Sequence, residues 1–530
     1  MILLVVLPLL SRAQLWEHYY GQPDNYNSSR TSFETYDKGI LTAGNIGTVI
    51  EDRRTWLIKL DRNGDSLWSK RLSSNYNNGM FGITGTLDGG IALAGREYVY
   101  GNYVSPIPLV VKLDACGELD WCTYFETERL LPRAQSIQLA DEGGYLIVLN
   151  QFGDYDFENT FLVKLDAFGL PVWAKPVIDP ETHPDSRVPM SESLLKTNEG
   201  GFLVTGDVYW RENPDDTVFW LRPFYAMFDA EGNEQWVTPF GVGDSLLGRG
   251  YSCIKMDNGN FICAARQLFR GNSLQRGFII ELDNQGNVLQ YKSIGCESIG
   301  EDCESIFFQH IEQFGDSLVL TMPYLPDHLQ EGYPSIITLG IDLFDEEVTV
   351  HALRKFIDKI SPSHHILETS DNKLYLAMIH IHGPNNLSDI YLIKMDSMLQ
   401  TDSISPDNST YDSLCPQPIN YSDVLLSNCH VVTNLQELWE RTDRSDSNHF
   451  AFSIHPNPAG DRIYLRLDKQ VVDRKVEVYV YNSHGRLMLQ PVSYHFSDNG
   501  IDVSSLPAGF YIVQLFHKGN SLGTQKLIKL

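Results

Sequence analysis

One short pattern recurs along the chain and constrains its fold more than any other feature. Lys-Leu-Asp-x-x-Gly-x-x-x-Trp occurs three times, with its aspartate at Asp61, Asp114 and Asp166. Weaker copies have theirs at Asp229, Asp283, Asp342 and Asp396. Neighbouring aspartates are 52 to 63 residues apart. Repeats of this length, built from short apolar runs and Gly-rich turns, are typical of propeller blades with four strands each.

Each repeat reads as four antiparallel strands. In the second copy, Asp88-Gly89-Gly90 is a turn, because glycine accepts the positive φ that tight hairpins need. The apolar runs Ile91–Gly95 and Leu109–Leu113 follow as strands that we expect to be buried between blades. Asp-x-x-Gly then forms a second hairpin turn. Asp61-Arg62-Asn63-Gly64-Asp65 resembles half of a calcium loop, but it lacks the later bidentate glutamate, and its recurrence favours a hairpin.

Seven aspartates predict an all-β fold, a seven-bladed β-propeller over residues 14–402. The sixth repeat fits the pattern poorly, so a count of six or eight blades stays open. The seventh repeat lacks a Trp-bearing strand. The segment around Trp16 resembles the one around Trp236, so we predict that this leading strand completes the last blade beside Tyr391. Such pairing would close an open sheet edge.

Composition limits the partners. The formal net charge is −27, 42% of the 530 residues are hydrophobic, and the pI is near 4.9. Such a chain has material for a large core and a second domain. Nucleic acids are bound by basic patches, and the sequence shows none. We therefore predict no nucleic-acid partner and no docking on anionic lipid. No cofactor is predicted.

Residues 1–13 have the character of a signal peptide. An apolar run too short to span a bilayer ends at Ser11-Arg12-Ala13, whose small residues suit cleavage before Gln14. The basic segment that usually precedes such a run is absent. No later run reaches about 18 apolar residues, so no transmembrane segment is predicted.

Export makes disulfides the expected state of the eight cysteines. They fall as sequence neighbours: Cys116 and Cys122, Cys253 and Cys263, Cys296 and Cys303, Cys415 and Cys429. Pairing by neighbours is the simplest assignment, although the sequence does not fix connectivity. Cys253 and Cys263 flank a turn, which places them on facing strands.

Residues 403–450 are richer in small polar residues and read as a linker that holds the Cys415–Cys429 bridge. Val431 to Arg441 is predicted as a short helix. Residues 451–530 read as a small C-terminal antiparallel β-sandwich, since strands with alternating apolar residues are separated by turns.

The last 80 residues also carry a specific resemblance. Pro-Asn-Pro at their start, Leu-Pro-x-Gly-x-Tyr near their end and a basic terminal strand resemble the type A C-terminal sorting domain of Bacteroidetes type IX secretion. The matching residues are Pro456, Asn457, Pro458, Gly509, Tyr511, Lys526 and Lys529. The resemblance implies two-step export with the type IX machinery as partner. It also implies that the product is secreted or attached to the outer-membrane surface.

Within this sorting signal we expect the prolines and Gly509 to shape turns and Tyr511 to pack. Lys526 and Lys529 are the candidates for direct recognition, on the expectation that a charged terminal strand adds little to a core.

No catalytic residue is nominated, because nucleophile-elbow, zincin and phosphate-loop patterns are absent. Weak metal candidates are His364, His365, His380 and His382, without a carboxylate at ligand spacing, and no metal is predicted.

Two functions remain. The favoured one is a non-catalytic binding or adhesion protein for a glycan or protein ligand. Its aromatic loops, Tyr98–Tyr103 and Trp210–Pro214, suit either such a ligand or packing between blades. The alternative is a secreted polysaccharide hydrolase or lyase with an acidic site in the propeller channel. Close carboxylates with displaced pKa values in that channel would favour the enzyme.

Overall fold

The chain divides into two compact units, Met1–Gln436 and Glu437–Leu530. The computed structural model describes residues 14–530 except for 49–51, 75–76, 99–105, 127–129, 142–143, 153–158, 214, 216, 245, 270–273, 302, 304, 326–332, 341–343, 345–347, 357–359, 362–364, 383–386, 433–451, 468–474, 483–486, 496–499, 518–519 and 530. The predicted signal peptide therefore lies outside the described residues. The described elements are β-strands, apart from short 3₁₀ turns such as Cys296–Ile299.

The first unit opens with β1 (Glu17–Tyr20), and its later strands fall into successive antiparallel sets. The first set is β2 (Tyr26–Glu34), β3 (Ile40–Gly47), β4 (Arg54–Leu60) and β5 (Ser66–Ser73). The second is β6 (Asn77–Gly85), β7 (Ile91–Tyr98), β8 (Ile107–Leu113) and β9 (Leu119–Phe125). The third is β10 (Leu130–Leu139), β11 (Tyr145–Phe152), β12 (Asn159–Leu165) and β13 (Pro171–Pro176). The fourth is β14 (Ser186–Lys196), β15 (Phe202–Trp210), β16 (Trp220–Phe228) and β17 (Glu234–Pro239).

The remaining sets complete the ring. The fifth is β18 (Leu247–Lys255), β19 (Phe261–Leu268), β20 (Gln275–Leu282) and β21 (Val288–Ile294). The sixth is β22 (Ser305–Ile306), β23 (His310–Phe314), β24 (Ser317–Leu325), β25 (Tyr333–Gly340) and β26 (Val350–Lys355). The seventh is β27 (Ile360–Ser361), β28 (Ile366–Thr369), β29 (Lys373–His382) and β30 (Leu387–Met395), joined by β1.

These sets are the blades of a β-propeller. The inner strands of neighbouring sets contact one another in the order β2, β6, β10, β14, β18, β23 and β28, and β28 contacts β2, so the described inner strands surround an axial channel. In the sixth set β22 and β23 pair with opposite ends of β24, and in the seventh β27 and β28 pair with β29 in the same way.

The leading strand closes the ring, as the sequence predicts. Strand β1 pairs antiparallel with β30, and Tyr19 lies opposite Tyr391. Trp16 is 1% exposed, and its Nε1 donates a hydrogen bond to the Arg62 carbonyl oxygen at 2.7 Å. In the same way Trp121 donates to the Ala167 carbonyl oxygen of the next blade at 3.0 Å. Trp16 thus takes the place of the tryptophan that the seventh repeat lacks.

The repeated aspartate builds its own hairpin. The Oδ1 atom of Asp114 accepts hydrogen bonds from the backbone N–H groups of Cys116 and Glu118, at 2.8 and 2.9 Å. The same double acceptance occurs at Asp61, Asp166, Asp229, Asp283 and Asp396. Gly117 takes φ +72°, which favours glycine. The recurring motif therefore stabilises a hairpin turn, as predicted.

The predicted linker is in part an ordered strap, which corrects the sequence interpretation. Strand β31 (Ser422–Leu425) pairs parallel with the outer strand β5, and β32 (His430–Val432) pairs parallel with β9. The strap therefore covers the outer edges of the first two blades. Val431, where the predicted helix would begin, belongs to β32 instead. The rest of the predicted helix lies outside the described residues.

Two of the four predicted disulfide pairs are wrong. The bridges are Cys116–Cys415 and Cys122–Cys429, because the strap returns along β9 and brings its cysteines to those of the second blade. The pairs Cys253–Cys263 and Cys296–Cys303 are confirmed. Cys253 lies directly opposite Cys263 across β18 and β19.

The second unit is a small β-sandwich. One sheet contains β33 (Phe452–His455), β34 (Arg462–Leu467) and β37 (Ile501–Asp502). The other contains β35 (Lys475–Asn482), β36 (Leu487–His495), β38 (Gly509–His517) and β39 (Asn520–Lys529). Buried residues of both sheets form one apolar core. No helix among the described residues has the length and apolar character to cross a membrane.

Candidate functional site

A β-bulge interrupts the inner strand of each of the first five blades at the same place. The pairing of β2 with β3 runs from Ser29–Gly44 to Thr31–Ala43, so one residue, Arg30, is left without a partner in the ladder. The equivalent extra residues of the next four blades are Phe81, Gln135, Glu192 and Tyr251. Bulges re-aim a side chain and are frequent beside active sites. We call these five residues the bulge ring.

The bulge ring faces the channel while its chain neighbours face the core. Ser29 and Thr31 are buried on either side of exposed Arg30. Phe81, Gln135, Glu192 and Tyr251 are partly exposed. Adjacent members contact one another: the Gln135 Nε2 atom lies 3.2 Å from the Glu192 Oε2 atom. The ring therefore presents five different side chains to a shared space.

A glycine on the second strand makes room for three of these bulges. A Cβ atom on Gly44 would lie 1.7 Å from the Ser28 carbonyl oxygen, and one on Gly95 would lie 2.2 Å from that of Gly79. A Cβ atom on Gly206 would lie 1.8 Å from the Met190 carbonyl oxygen. In these three blades the bulge therefore requires a glycine within the second strand.

Arginine side chains gather around the ring. The guanidinium carbons of Arg30, Arg96 and Arg133, from three different blades, lie 5.9, 5.3 and 5.4 Å from the centroid of the Phe81 ring. Across the channel Arg249 lies opposite Arg266 in the β18–β19 ladder, and the Arg266 guanidinium lies 4.4 Å from the Phe307 ring centroid. Burial lowers the pKa of Arg30, and the charges of Arg53 and Arg133 lower it further.

Two carboxyl groups lie among these arginines. Asp207 is 3% exposed, and its Oδ1 atom has no hydrogen-bond partner among the described residues. Burial, together with the negative charge of Glu192, raises the pKa of Asp207 to about 7, although Arg249 and Arg133 oppose the shift. Burial also raises the pKa of Glu192 against the same two arginines. Both carboxyls therefore hold protons more strongly than free carboxyls do.

The alternative function assumed an acidic channel, and this part of the channel is instead rich in arginine. Acidic residues are found farther along the inner strands. Glu34, Glu312 and Glu368 line a cavity of about 420 Å³ there, next to His365. Burial raises the pKa of Glu368, and the charge of Glu312 adds to the effect.

The candidate histidines do not meet in one place. The His365 ring stacks on His310 with centroids 4.7 Å apart, and burial lowers the pKa of His365 to about 3. His380 and His382 stack on each other at 6.0 Å on β29, and His382 Nε2 lies 3.1 Å from Asp389 Oδ2. His364 lies outside the described residues. Within the described ranges, no three His, Cys, Asp or Glu side chains are arranged to hold a metal ion.

The predicted sorting residues converge on the end of the terminal strand. The Oδ1 atom of Asn457 accepts a hydrogen bond from the Ile528 N–H at 2.9 Å, and Gly509 lies opposite Lys529 in the β38–β39 ladder. The flanking residues Pro456 and Pro458 follow cis peptide bonds. Tyr511 is buried, as predicted, and its hydroxyl donates to the Pro507 carbonyl oxygen at 2.7 Å.

The expectation that the terminal strand adds little to the core is wrong. Leu527 is fully buried, and Lys529 is 8% exposed with its Nζ atom 4.0 Å from Asp461 Oδ1. The strand is paired with β38 on one side and touched by Asn457 and Ala459 on the other, which buries its alternate side chains. The side chain of Lys526 lies outside the described residues.

The sequence interpretation found the aromatic loops but missed the bulge ring. Tyr98 stacks beneath the Arg96 guanidinium at 4.7 Å, whereas residues 99–105 lie outside the described residues. The sequence signal for three of the bulges was a glycine in the second strand of the blade, at Gly44, Gly95 and Gly206, since a bulge demands space on the opposite strand.

Several solved structures are similar to part of the chain at low sequence identity. The β-propeller domain of the trilobed protease from Pyrococcus furiosus matches with 12% identity and a TM-score of 0.40, over 75% of this chain and 99% of that one. A protein of unknown function from Dyadobacter fermentans matches with 11% identity and a TM-score of 0.40, over 72% and 97%. An ulvan lyase of polysaccharide lyase family 25 matches with 10% identity and a TM-score of 0.47, over 71% and 94%. The identities and TM-scores of these matches are low, and nothing about function follows from them.

The second unit is matched by sequence. No curated protein matches the chain. A family model described as a secretion system C-terminal sorting domain matches residues 453–530. This match covers the whole of the predicted sorting signal. The chain therefore carries a type IX secretion sorting domain behind a β-propeller, which indicates export to the cell surface or the medium.

Proposed function

We propose that this chain is an exported Bacteroidetes protein whose propeller binds an extracellular glycan or protein ligand in its channel, without catalysing a reaction. The bulge ring carries the proposal. Five equivalent backbone positions expose a different residue in each blade, namely Arg30, Phe81, Gln135, Glu192 and Tyr251. A structural role would favour the same residue in every blade.

The chemistry of the ring suits a ligand with both polar and flat surfaces. Phe81 and Tyr251 offer aromatic faces, and Gln135 offers an amide donor and acceptor. Binding sites commonly combine such apolar area with a few convergent polar groups.

A second candidate function is a polysaccharide hydrolase or lyase, and one observation favours it. The charge of Glu192 contributes to the raised pKa of Asp207, and burial raises the pKa of both carboxyls in the channel. A carboxyl that titrates near neutral pH is suited to general acid or base catalysis.

One experiment separates the two functions. The protein without residues 1–13 is applied to a glycan array and incubated with a panel of polysaccharides, and products are followed by mass spectrometry. Saturable binding without product supports the binding function. Formation of product, if Asp207→Asn abolishes it, would contradict the binding function and support the enzyme.

The location of binding is tested by a matched pair of aromatic substitutions. Phe81→Ala should weaken binding at least tenfold, because it removes an aromatic face from the channel. Tyr421→Ala removes an aromatic ring that is 54% exposed on the strap and should leave binding unchanged. Equal effects of the two substitutions would contradict a site in the channel.

A further inference from the structure

The charge of the channel differs in sign from that of the whole chain. The formal net charge is −27, yet Arg30, Arg96, Arg133, Arg249 and Arg266 gather around a group with two carboxyls, Glu192 and Asp207. One of these carboxyls, Asp207, is about half protonated near neutral pH. The site is therefore cationic in an acidic protein.

This arrangement opposes stability in the absence of a ligand. Burial lowers the pKa of Arg96, and the positive charges of Arg133 and Arg30 lower it further, so the three guanidinium groups repel one another. They come from three separate strands, β2, β7 and β10, and the contact of Arg133 Nη2 with Glu192 Oε1 at 4.0 Å offsets only part of this repulsion. Like charges held close together at a structural cost are expected at functional sites.

We propose that the ligand of this channel is an acidic saccharide, whose carboxylate or sulfate groups bind the arginines while a sugar face packs on Phe81. This inference rests on the proposed function and adds the chemical class of the ligand. Guanidinium forks bind carboxylate and sulfate with two parallel hydrogen bonds. The buried, unpartnered Oδ1 atom of Asp207 accepts a hydrogen bond from a sugar hydroxyl, and Gln135 provides an amide for another.

A saccharide fits this site better than a nucleic acid does. These five arginines form a local cluster, whereas a long phosphate backbone needs a basic track and would be repelled by a chain of net charge −27. An acidic sugar unit combines what the ring offers, namely an apolar face for Phe81 and a localised charge for the guanidiniums around it.

The test uses isothermal titration calorimetry on the chain without residues 1–13. The probes are a galacturonic acid hexamer, a chondroitin sulfate hexasaccharide and a neutral cellohexaose. We expect at least one acidic hexamer to bind at least tenfold more tightly than cellohexaose, with an affinity that falls as salt rises. Comparing the two acidic probes distinguishes carboxylate from sulfate recognition.

Two substitutions locate the effect. Arg30→Gln should weaken binding of the acidic hexamer about tenfold or more, whereas Arg71→Gln, on the outer strand β5 where Arg71 pairs with Asp423, should leave it unchanged. Without ligand, Arg30→Gln should keep or raise the melting temperature, since it removes a repelling charge. Unfolding of this variant would therefore contradict the proposed repulsion.

The outcomes that overturn the inference are distinct. Binding of cellohexaose alone, unaffected by Arg30→Gln, would overturn the acidic class and leave the proposed function standing. Equal affinity for inorganic sulfate, for a polyglutamate peptide or for single-stranded DNA would overturn recognition of a saccharide. No saturable binding of any glycan or protein ligand would overturn both proposals.

Discussion

Two sets of equivalent positions in the propeller behave in opposite ways. The turn aspartates, such as Asp61, Asp114 and Asp166, are the same residue in every described blade, and each accepts two backbone hydrogen bonds in its own hairpin. The bulge ring has the same backbone geometry in five blades but a different residue in each. Repetition therefore marks structural residues, and variation on a repeated backbone marks a site.

The lysine of the repeat belongs with the structural set. Lys112 Nζ lies 2.9 Å from carboxylate oxygens of both Asp88 and Asp120, and Lys394 Nζ lies 2.6 Å from Asp371 Oδ2. These pairs join the first turn of a blade to its third strand, so the same ion pair recurs where the same backbone is held. If this comparison is right, changes in the repeated framework affect stability, and changes in the ring affect binding.

Removal of the two disulfides that hold the strap should have the largest effect on stability. It tests the structural role of the framework at the outer edge of the propeller. Replacing Cys116, Cys122, Cys415 and Cys429 by serine removes bridges with sequence separations of 299 and 307. The unfolded chain gains the entropy of long loops, so the free energy of unfolding should fall by about 4–6 kcal/mol. Chemical denaturation measures it.

The matched control for the strap is the short bridge between Cys296 and Cys303, with a separation of 7. Its replacement by serine should cost only about 2 kcal/mol, because a short loop gains less entropy. An equal loss from the two changes would contradict a role for the strap in tying distant parts of the chain. Glycan binding should survive both.

Ring closure gives the next largest effect. Trp16→Ala removes a buried indole and its hydrogen bond to Arg62, so the unfolding free energy should fall by about 3–5 kcal/mol. Tyr19→Ala, on the same strand with a side chain that is 55% exposed, should cost about 1 kcal/mol or less. Thermal unfolding of both variants checks this. A Trp16 variant as stable as the Tyr19 variant would mean that the leading strand does not close the ring.

The glycine opposite the second bulge connects the two sets of positions. Gly95→Ala places a Cβ atom 2.2 Å from the Gly79 carbonyl oxygen, so the backbone beside Phe81 must shift. We expect a loss of about 2–3 kcal/mol together with weaker ligand binding. Gly79→Ala, whose nearest contact would be at 3.4 Å, is the control and should affect both much less. If Gly95→Ala lost stability without any change in binding, the bulge would have no role in the binding site.

The smallest effect concerns pH. The pKa of Asp207 is raised to about 7, so the folded state binds a proton that the unfolded state releases near pH 4. This group therefore lowers stability as pH rises from about 4 to 7. Asp207→Asn should raise the unfolding free energy by about 1–2 kcal/mol at pH 8 and by much less at pH 4. The groups that face it are Glu192, Arg133 and Arg249.

The direction of that pH effect is the critical observation. A pH-independent change in Asp207→Asn, measured by denaturation at pH 4, 6 and 8, would show that the carboxyl is ionised throughout this range. In that case Asp207 would neutralise part of the arginine charge, and the channel would be less cationic than we infer.

The framework was predictable from sequence because its residues repeat. Asp114 and its copies revealed the period, and the missing tryptophan of the seventh repeat pointed to Trp16. The long-range disulfides were not predictable, because sequence distance is a poor guide where the strap beyond Asp402 returns to an early blade. The sorting residues were found as a motif, yet the burial of Lys529 depends on the neighbouring segment at Ala459.

The channel site was not predictable for a different physical reason. Arg30, Arg96, Arg133, Arg249 and Arg266 follow no local spacing, and they meet only when the ring closes. Arg30 and Phe81 are extra residues of bulges, and bulges become visible only in the register of paired strands. Gly95 was the sequence sign of the bulge, but a single glycine after an apolar run is equally typical of the end of a strand.

The most direct test of the account is a paired alanine scan of the two sets of positions. Arg30, Phe81, Gln135, Glu192 and Tyr251 are replaced singly, as are the turn aspartates of the same five blades, Asp61, Asp114, Asp166, Asp229 and Asp283. Melting temperature and affinity for the best glycan are measured for every variant. We predict that the ring variants lose affinity and keep their melting temperature, while the turn variants lose melting temperature and keep affinity. Ring variants that lose stability and retain full affinity would contradict the central claim.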